Sequence, residues 1–260
     1  MATRAIWKGI IRLGESFIPV KLYAAVEEKG VHFRLLHEKD KTPVHQEMVH
    51  PETNDIVPAE AIRHGYETED GRIVILTEQE LQGLEPEPSR HIEILRFLPD
   101  SAIDHRWYER PYFLGPDGDE EAYFALIEAL DDTGAEALSR WVMRNKEYFG
   151  VLRLREGYPL LVTLRYAEEV VDLSELKIPV GREIDQRELA MAEQLVSAMA
   201  GTFDPSQYRD EFRQRVMDLI AAKAGGKIIA LRPAAAQKTT QDLKKALEAS
   251  LMVVKERHRG

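Results

Sequence analysis

Alternation of apolar and polar residues along short segments is the feature that most limits the fold of this chain. Successive side chains of a β-strand point to opposite faces, so such alternation is typical of a half-buried strand. Strand-like segments occur at residues 4–13, 17–26, 31–36, 72–77, 91–98, 137–145, 147–155 and 159–167. The last two are separated only by Glu156, Gly157 and Tyr158, which is short enough for a hairpin. Long sheet segments with few helices between them predict a closed or nearly closed β-barrel in a mixed α+β fold.

Two helices are predicted between these strands. Thr77 and Glu80 have the spacing of a capping box, which predicts a short helix over TEQELQGL. In DEEAYFALIEALDDTG, Tyr123, Leu126 and Leu130 fall on one helical face, and Gly134 suits the C-terminal cap. We therefore expect one well-marked helix to pack on the barrel.

The pattern becomes helical after Gly181. Asp185 and Glu188 are spaced like a helix start, and Gly201 is placed to end that helix. A second helix is predicted to begin with Asp204 as N-cap and Pro205 at the first helical position, and to end at Gly225. The apolar stripe of this second helix needs a surface to cover it, which is either the barrel or a second copy of the chain.

A long polar stretch separates the first strands from those that follow. Residues 37–71 contain too few apolar residues for a core of their own, although IVPAEAIRHGY interrupts the stretch. Connections of this length are usually functional or disordered.

Charge is unevenly distributed along the chain. The net charge of the whole chain is −10, yet residues 223–260 contain nine Lys and Arg against three Asp and Glu. Such asymmetry is typical of an interaction tail on an acidic body, and an acidic body by itself argues against non-specific nucleic-acid binding. Arg4, Lys8 and Arg12 interrupt the apolar N-terminal segment, which is unlike a signal peptide, so we expect a cytoplasmic protein.

Catalytic and metal-binding patterns are weak. The chain contains no cysteine, which excludes disulfides and thiolate metal sites. His50, Glu52 and Asp55 lie close together in sequence, but their spacing matches neither zinc nor facial-triad patterns. No catalytic triad or cofactor fingerprint is present, so we expect no enzyme, no metal and no cofactor. A metal-dependent hydrolase that uses His50, Glu52 and Asp55 remains the alternative.

Several of these segments resemble a known family. RAIWKG, IPVKLYAA, FRLLHEKD, IRHGYETEDGRIVILTEQEL and TFDPSQYRDEFRQRVMDLIAAKAGG are similar, in order and spacing, to bacterial Ku, the DNA-end-binding protein of non-homologous end joining. The resemblance implies a β-barrel core, a long bridge excursion that forms a ring in the homodimer, and a C-terminal helical arm. It also implies sequence-independent binding of double-stranded DNA ends, association with the nucleoid, and no need for ATP or metal.

The resemblance divides the chain into a barrel core at 1–181 with the bridge at about 37–75, an arm at 182–226, a linker at 227–238, and a final helix with a short basic tail at 239–260. The final helix resembles the motif that recruits the multifunctional end-joining DNA ligase. A ligase scaffold that forms no ring is the second alternative.

The resemblance and the strand periodicity together suggest the functional residues. In a regular strand Arg4, Lys8 and Arg12 share one face, and Arg140, Arg144 and Lys146 have the same parity. The predicted DNA-binding residues are Arg4, Lys8, Arg12, Lys21, Arg34, Lys39, Lys41, Arg63, Arg72, Arg140, Arg144 and Lys146. The predicted dimerisation residues are Tyr208, Phe212, Val216 and Leu219, and the predicted ligase-binding residues are Leu243, Leu247, Leu251 and Val254.

Overall fold

The computed structural model describes residues 4–176, 181 and 185–226, together with single helical positions at 247, 250 and 252. The chain divides into two compact units. The first comprises Met1–Lys29 and Phe33–Glu175, and the second comprises Gly30–His32 and Leu176–Gly260.

A closed seven-stranded barrel forms the body of the first unit, which confirms the prediction from alternation. Its strands follow one another around the barrel in the order β1, β2, β6, β9, β8, β7, β5, and the parallel pairing of β5 with β1 closes it. The strands are β1 (Trp7–Leu13), β2 (Ser16–Ala24), β5 (His91–Pro99), β6 (Tyr108–Pro116), β7 (Ala135–Met143), β8 (Lys146–Arg155) and β9 (Tyr158–Leu164).

Tight turns join three of the antiparallel neighbours. Arg144 and Asn145 connect β7 to β8 with φ values of 54° and 60°, and Glu156 and Gly157 connect β8 to β9 with 53° and 78°. Two consecutive positive φ values are typical of the type I′ turn, whose twist matches that of paired strands. Gly14, at φ 59°, serves the turn between β1 and β2.

The core combines the inward faces of the strands with one helix. Helix α2 (Glu120–Thr133) buries Tyr123, Leu126 and Leu130 against the barrel, and Gly134 ends it in the left-handed conformation, as predicted. The buried Tyr123 hydroxyl donates to the Leu114 carbonyl at 2.8 Å, and burial raises the pKa of Tyr123 to about 12. On β2, Ile18, Val20 and Leu22 point inward, which places Lys21 on the outer face.

An excursion between β2 and β5 contains a two-stranded sheet and a short helix. The sheet pairs β3 (His64–Glu67) with β4 (Ile73–Leu76), and helix α1 (Glu78–Gly83) begins at the predicted capping box of Thr77 and Glu80. The strand expected at residues 31–36 is absent: only an isolated bridge joins Leu36 to Pro43. The carboxylate of Asp40 accepts hydrogen bonds from the backbone and hydroxyl of Thr42, and across this turn the Val44 N–H donates to the Leu35 carbonyl at 3.1 Å, so the segment pairs only with its own return.

Strand β6 is not predicted from the sequence, because prolines interrupt its alternation of apolar and polar residues. Pro111 lies where the register between β6 and β9 shifts, and Pro116 ends the strand. Proline has no backbone N–H, so within sheets it is tolerated at edges, ends and bulges. Strand β3 was missed as well, since its sequence HGYE lacks an apolar alternation.

The second unit is helical. Asp185 caps α3 (Gln186–Ala198) as predicted, but the next helix starts later than expected. Asp204 and Pro205 begin only a single 3₁₀ turn (Pro205–Gln207), and α4 (Glu211–Ala224) begins after Asp210, whose carboxylate accepts from the Arg213 N–H at 2.9 Å. Asp210, and not Asp204, is therefore the N-cap of this helix. Among the described residues, no helix is both long and apolar enough to cross a bilayer.

Candidate nucleic-acid interface

The barrel displays predicted cations on its outer face. Lys8 and Arg12 alternate along β1 with buried Gly9 and Ile11, so both point outward. Arg140 occupies the same kind of position on β7 between Ser139 and Trp141. Arg4 is exposed but precedes β1, so strand periodicity does not apply to it.

Glu93 of β5 joins two of these cations. Its carboxylate accepts from the guanidinium of Arg12 at 2.5 Å and from that of Arg140 at 2.8 Å. The register explains the contact, because Glu93 is the cross-strand partner of Arg12 on one side and of Arg140 on the other. The hydrogen bonds from Arg140 and Arg12 lower the pKa of Glu93, and the Glu93 contact raises the pKa of Arg140.

Asp117 forms a second cluster of the same kind. Its carboxylate lies 2.8 Å from the Lys8 ammonium and 2.7 Å from the Lys21 ammonium, and these two lysines are cross-strand partners. The hydrogen bonds from Lys21 and Lys8 lower the pKa of Asp117, and the bond to Asp117 raises the pKa of Lys21. Four outward cations are therefore held in place by two carboxylates.

The turn between β7 and β8 carries two further predicted cations. Arg144 lies in the turn itself, outside the strand, so the alternation of side chains along a strand does not determine its direction. Lys146 begins β8 and its ammonium lies 5.4 Å from the centre of the Tyr148 ring. Among the described residues, neither side chain forms an ion pair with a carboxylate.

Predicted cations of the excursion are exposed and locally bonded. Lys41 donates to the Glu38 carbonyl, Arg63 donates to the Glu60 and Ile62 carbonyls, and Arg72 contacts Asp70 at 2.7 Å. Arg34 and Lys39 are exposed.

Two residues that organise these cations, Glu93 and Asp117, are not among those predicted from the sequence. Glu93 could have been found, because Ile92 is a core residue and alternation turns its neighbour outward. Asp117 follows β6, the strand that prolines concealed, and no sequence signal linked it to Lys8. Arg90, which precedes β5 and lies beside Arg144 in a surface cleft, was also not singled out.

His50, Glu52 and Asp55 lie in a tight turn. The backbone N–H of His50 donates to the Asp55 carbonyl at 2.9 Å, and the backbone N–H of Glu52 lies 3.4 Å from Nδ1 of His50. Within the described part of the chain, no group of three or more His, Asp or Glu residues is arranged to hold a metal ion.

The predicted dimerisation residues lie in and just before α4. Tyr208 and Phe212 are exposed, at 72% and 69%, and Val216 and Leu219 are half-buried. Of the predicted ligase-binding residues, Leu247 is helical and half-buried, whereas Leu243, Leu251 and Val254 lie outside the described residues.

The sequence that forms this barrel matches a known family. The family described as the Ku70/Ku80 beta-barrel domain matches residues 12–191 of the sequence. The chain belongs to the Ku family. This Ku chain is 37% identical over 256 residues to the "Non-homologous end joining protein Ku 2" of Geotalea uraniireducens, covering 98% of the chain and 100% of that protein.

Other Ku relatives are similar over almost their whole length. The "Non-homologous end joining protein Ku" of Heliobacterium modesticaldum is 38% identical over 261 residues, which covers 98% of this chain and 94% of that protein. The Bacillus subtilis protein of the same name is 32% identical over 251 residues, covering 95% and 81%. These comparisons confirm the resemblance to bacterial Ku, and the barrel confirms the predicted fold class. The ring, the arm and the site residues stay predictions.

Proposed function

We propose that this Ku chain binds ends of double-stranded DNA, independently of sequence, as a homodimeric ring, and that it recruits and stimulates the end-joining ligase. Membership of the Ku family and the names of its relatives support a role in non-homologous end joining. The role is one of binding and handover, and no catalytic residue is assigned.

The observation that carries the proposal is a set of four outward cations on the barrel, which the carboxylates of Glu93 and Asp117 hold in place. Lys8 and Arg12 project from β1, Lys21 from the adjacent β2, and Arg140 from β7 on the far side of β5, although the chain as a whole carries a net charge of −10. Contacts from such residues to phosphates fix position without reading base sequence, as end joining of arbitrary breaks requires. Acidic residues elsewhere disfavour attachment of DNA to other surfaces.

The excursion supports a ring. Residues 33–90 are described throughout, yet none of them is buried. Large apolar side chains there, such as Phe33 and Ile73, are 71% and 72% exposed. An isolated two-stranded sheet is only marginally stable in water. A bridge that closes over DNA together with a second copy would cover these surfaces.

Helix α4 supports the assignment of the dimer contact to the arm. Phe212 exposes its aromatic ring on α4 and Val216 lies one turn further along the same face, and Tyr208, also exposed, precedes the helix. Exposed aromatic residues in a stripe are typical of protein–protein interfaces. For the ligase contact, the sequence offers the stripe of Leu243, Leu247, Leu251 and Val254, behind the linker at 227–238.

Competition between linear and covalently closed DNA tests the proposal. A ring can thread onto an end but cannot load onto a closed circle. Labelled linear duplex bound to the full chain should be displaced well by unlabelled linear fragments and poorly by closed plasmid of equal mass. Equal competition by both would refute the ring, and the measurement should be repeated over a range of salt concentrations because phosphate contacts are salt-dependent.

A further inference from the structure

A surface cleft of about 280 Å³ lies beside the turn between β7 and β8. Its polar lining consists of Ser89, Arg90, Arg144 and Asn145, and Trp7, Pro88 and Val142 supply the remainder. Among these lining residues none is acidic, so the cleft carries two formal positive charges. In the described part of the chain, neither guanidinium has a carboxylate partner.

The neighbouring cleft has the opposite character. It has a volume of about 320 Å³, shares Ser89 and Val142 with the first, and contains Arg12 and Arg140. However, Glu87, Glu93 and Glu147 also line it, so its formal charge is negative. Glu93 already accepts a hydrogen bond from each of the two arginines and partly neutralises their charge. An anion therefore finds unoccupied donors in the first cleft and competing carboxylates in the second.

Arg90 and Arg144, the two arginines of the cleft that contains no acidic residue (the acid-free cleft), lie on backbone that is fixed by strand pairing. The carbonyl of Arg90 accepts the Ile10 N–H at 2.8 Å, which ties the start of β5 to β1. Arg144 lies in a two-residue turn between paired strands, at φ 54°. The hydroxyl oxygen of Ser89 accepts the His91 N–H at 3.1 Å, which leaves its proton for a ligand. Guanidinium groups and a hydroxyl donor together suit the oxygens of a phosphate.

We propose that the cleft between Arg90 and Arg144 is a phosphate-binding site, and that it holds a phosphate of the DNA bound in the proposed function. Arg90 and Arg144 supply the charge-assisted hydrogen bonds, with Ser89 and Asn145 as neutral donors. The inference depends on the proposed function, because DNA is the source of the phosphate. That phosphate is either a diester of the backbone or the monoester at a 5′ end.

Binding of linear duplex by the full chain and by Arg90→Gln and Arg144→Gln tests the site. Each variant should weaken binding by about three- to tenfold, the value of one hydrogen bond. Each should also reduce the slope of log K against log salt by about 0.9, the value for one neutralised phosphate. Unchanged thermal unfolding should accompany both effects, since neither side chain is buried.

Arg155→Gln provides the matched control. Arg155 is exposed, has no ion pair among the described residues, and ends β8, whereas Arg144 lies just before its start. Ten strand residues separate the two positions by about 30 Å. The control removes the same charge and should leave affinity and salt slope unchanged. If Arg90→Gln and Arg144→Gln behave like Arg155→Gln, the site is refuted.

Duplexes with 5′-phosphate and with 5′-hydroxyl ends distinguish the two sources. A loss of affinity with both duplexes assigns the site to a backbone diester, and a loss only with the phosphorylated duplex assigns it to the terminal monoester. Wild-type competition by closed plasmid is measured in parallel. If the wild type binds closed and linear DNA equally, the ring is wrong. If the wild type prefers linear DNA to closed plasmid while Arg90→Gln and Arg144→Gln bind linear duplex as tightly as the wild type does, only the phosphate site is refuted.

Discussion

Glu136 and Arg153 form a buried ion pair 2.8 Å long between β7 and β8. Glu136 precedes the core residue Ala137 on β7, and Arg153 follows the core residue Leu152 on β8. Alternation therefore directs both side chains to the face of the sheet opposite the core. The Tyr108 hydroxyl donates to Glu136 at 3.2 Å, and the Arg153 guanidinium lies 4.8 Å from the centre of the Tyr108 ring. Burial raises the pKa of Glu136, and Arg153 opposes that effect.

Replacement of Arg153 alone should lower the free energy of unfolding far more than replacement of both Glu136 and Arg153. Arg153→Met leaves a buried carboxylate without its counter-charge, and we expect a loss of about 3–5 kcal/mol in the free energy of unfolding. In Glu136→Met/Arg153→Met no charge remains to be desolvated, so the double variant should be close to wild type. Urea denaturation measures both. Equal losses in the single and double variants would show that packing, and not charge, is the larger effect.

The destabilisation of Arg153→Met should depend on pH. Without Arg153, the largest effect that opposes burial is lost, so the pKa of Glu136 in the folded state lies further above the unfolded value. A group whose pKa is raised on folding binds its proton more tightly in the folded state, and acid therefore favours folding. The stability difference from wild type should shrink as pH falls from neutral through the folded pKa of Glu136. A constant difference over that range would contradict this account.

Barrel strands and caps could be predicted from sequence because each is set by local pattern. The strand patterns located β1, β2, β4, β5, β7, β8 and β9, the capping box located α1, and an apolar stripe with Gly134 located α2. The pattern fails where backbone chemistry overrides it. Prolines hid β6, and residues 31–36 form only an isolated bridge across the Asp40 turn despite their alternation.

The organisation of the candidate interface could be predicted only in part. The outward direction of Lys8 and Arg12 follows from period-two alternation. That Glu93 joins Arg12 to Arg140 depends on the parallel closure of β1 with β5, a contact between strands about 80 residues apart in sequence. The acid-free cleft of Arg90 and Arg144 likewise depends on which strands are neighbours.

The exposed face of α4 provides a test of the dimer. Phe212→Ala should weaken self-association by about 30-fold, because truncation of a central aromatic at an interface costs about 2 kcal/mol. Arg213→Ala is the control, since it changes the next residue of the same helix and lies outside the apolar stripe. Sedimentation velocity over a concentration series measures both. Equal dimer dissociation constants for the two variants would show that the exposed face of α4 does not lie in the dimer interface.

Deletion of residues 237–260 should separate DNA binding from ligase recruitment. The truncated chain keeps the barrel, α3 and α4, so its affinity for linear duplex should stay within a factor of about two, apart from the small effect of the lost positive charge. Stimulation of the end-joining ligase should be lost. Gel-shift and ligation assays on the same preparation give the two readouts. Full ligase stimulation by the truncated chain would place the contact elsewhere.

Neutralisation of Glu93 should strengthen DNA binding. Glu93→Gln removes the charge that competes with phosphate for Arg12 and Arg140, while the amide oxygen can still accept a hydrogen bond. We expect tighter binding of linear duplex and a salt slope steeper by up to about 0.9 for each additional phosphate neutralised.

Glu15→Gln is the matched control for Glu93→Gln. It makes the same change of net charge three residues from Arg12, at the turn between β1 and β2, and Glu15 has no ion pair in the described structure. The two variants differ only in whether arginines are released, so Glu93→Gln should gain more affinity than Glu15→Gln. Weaker binding by Glu93→Gln would mean that the carboxylate orients the two guanidinium groups toward DNA, and that its competition with phosphate is the smaller effect.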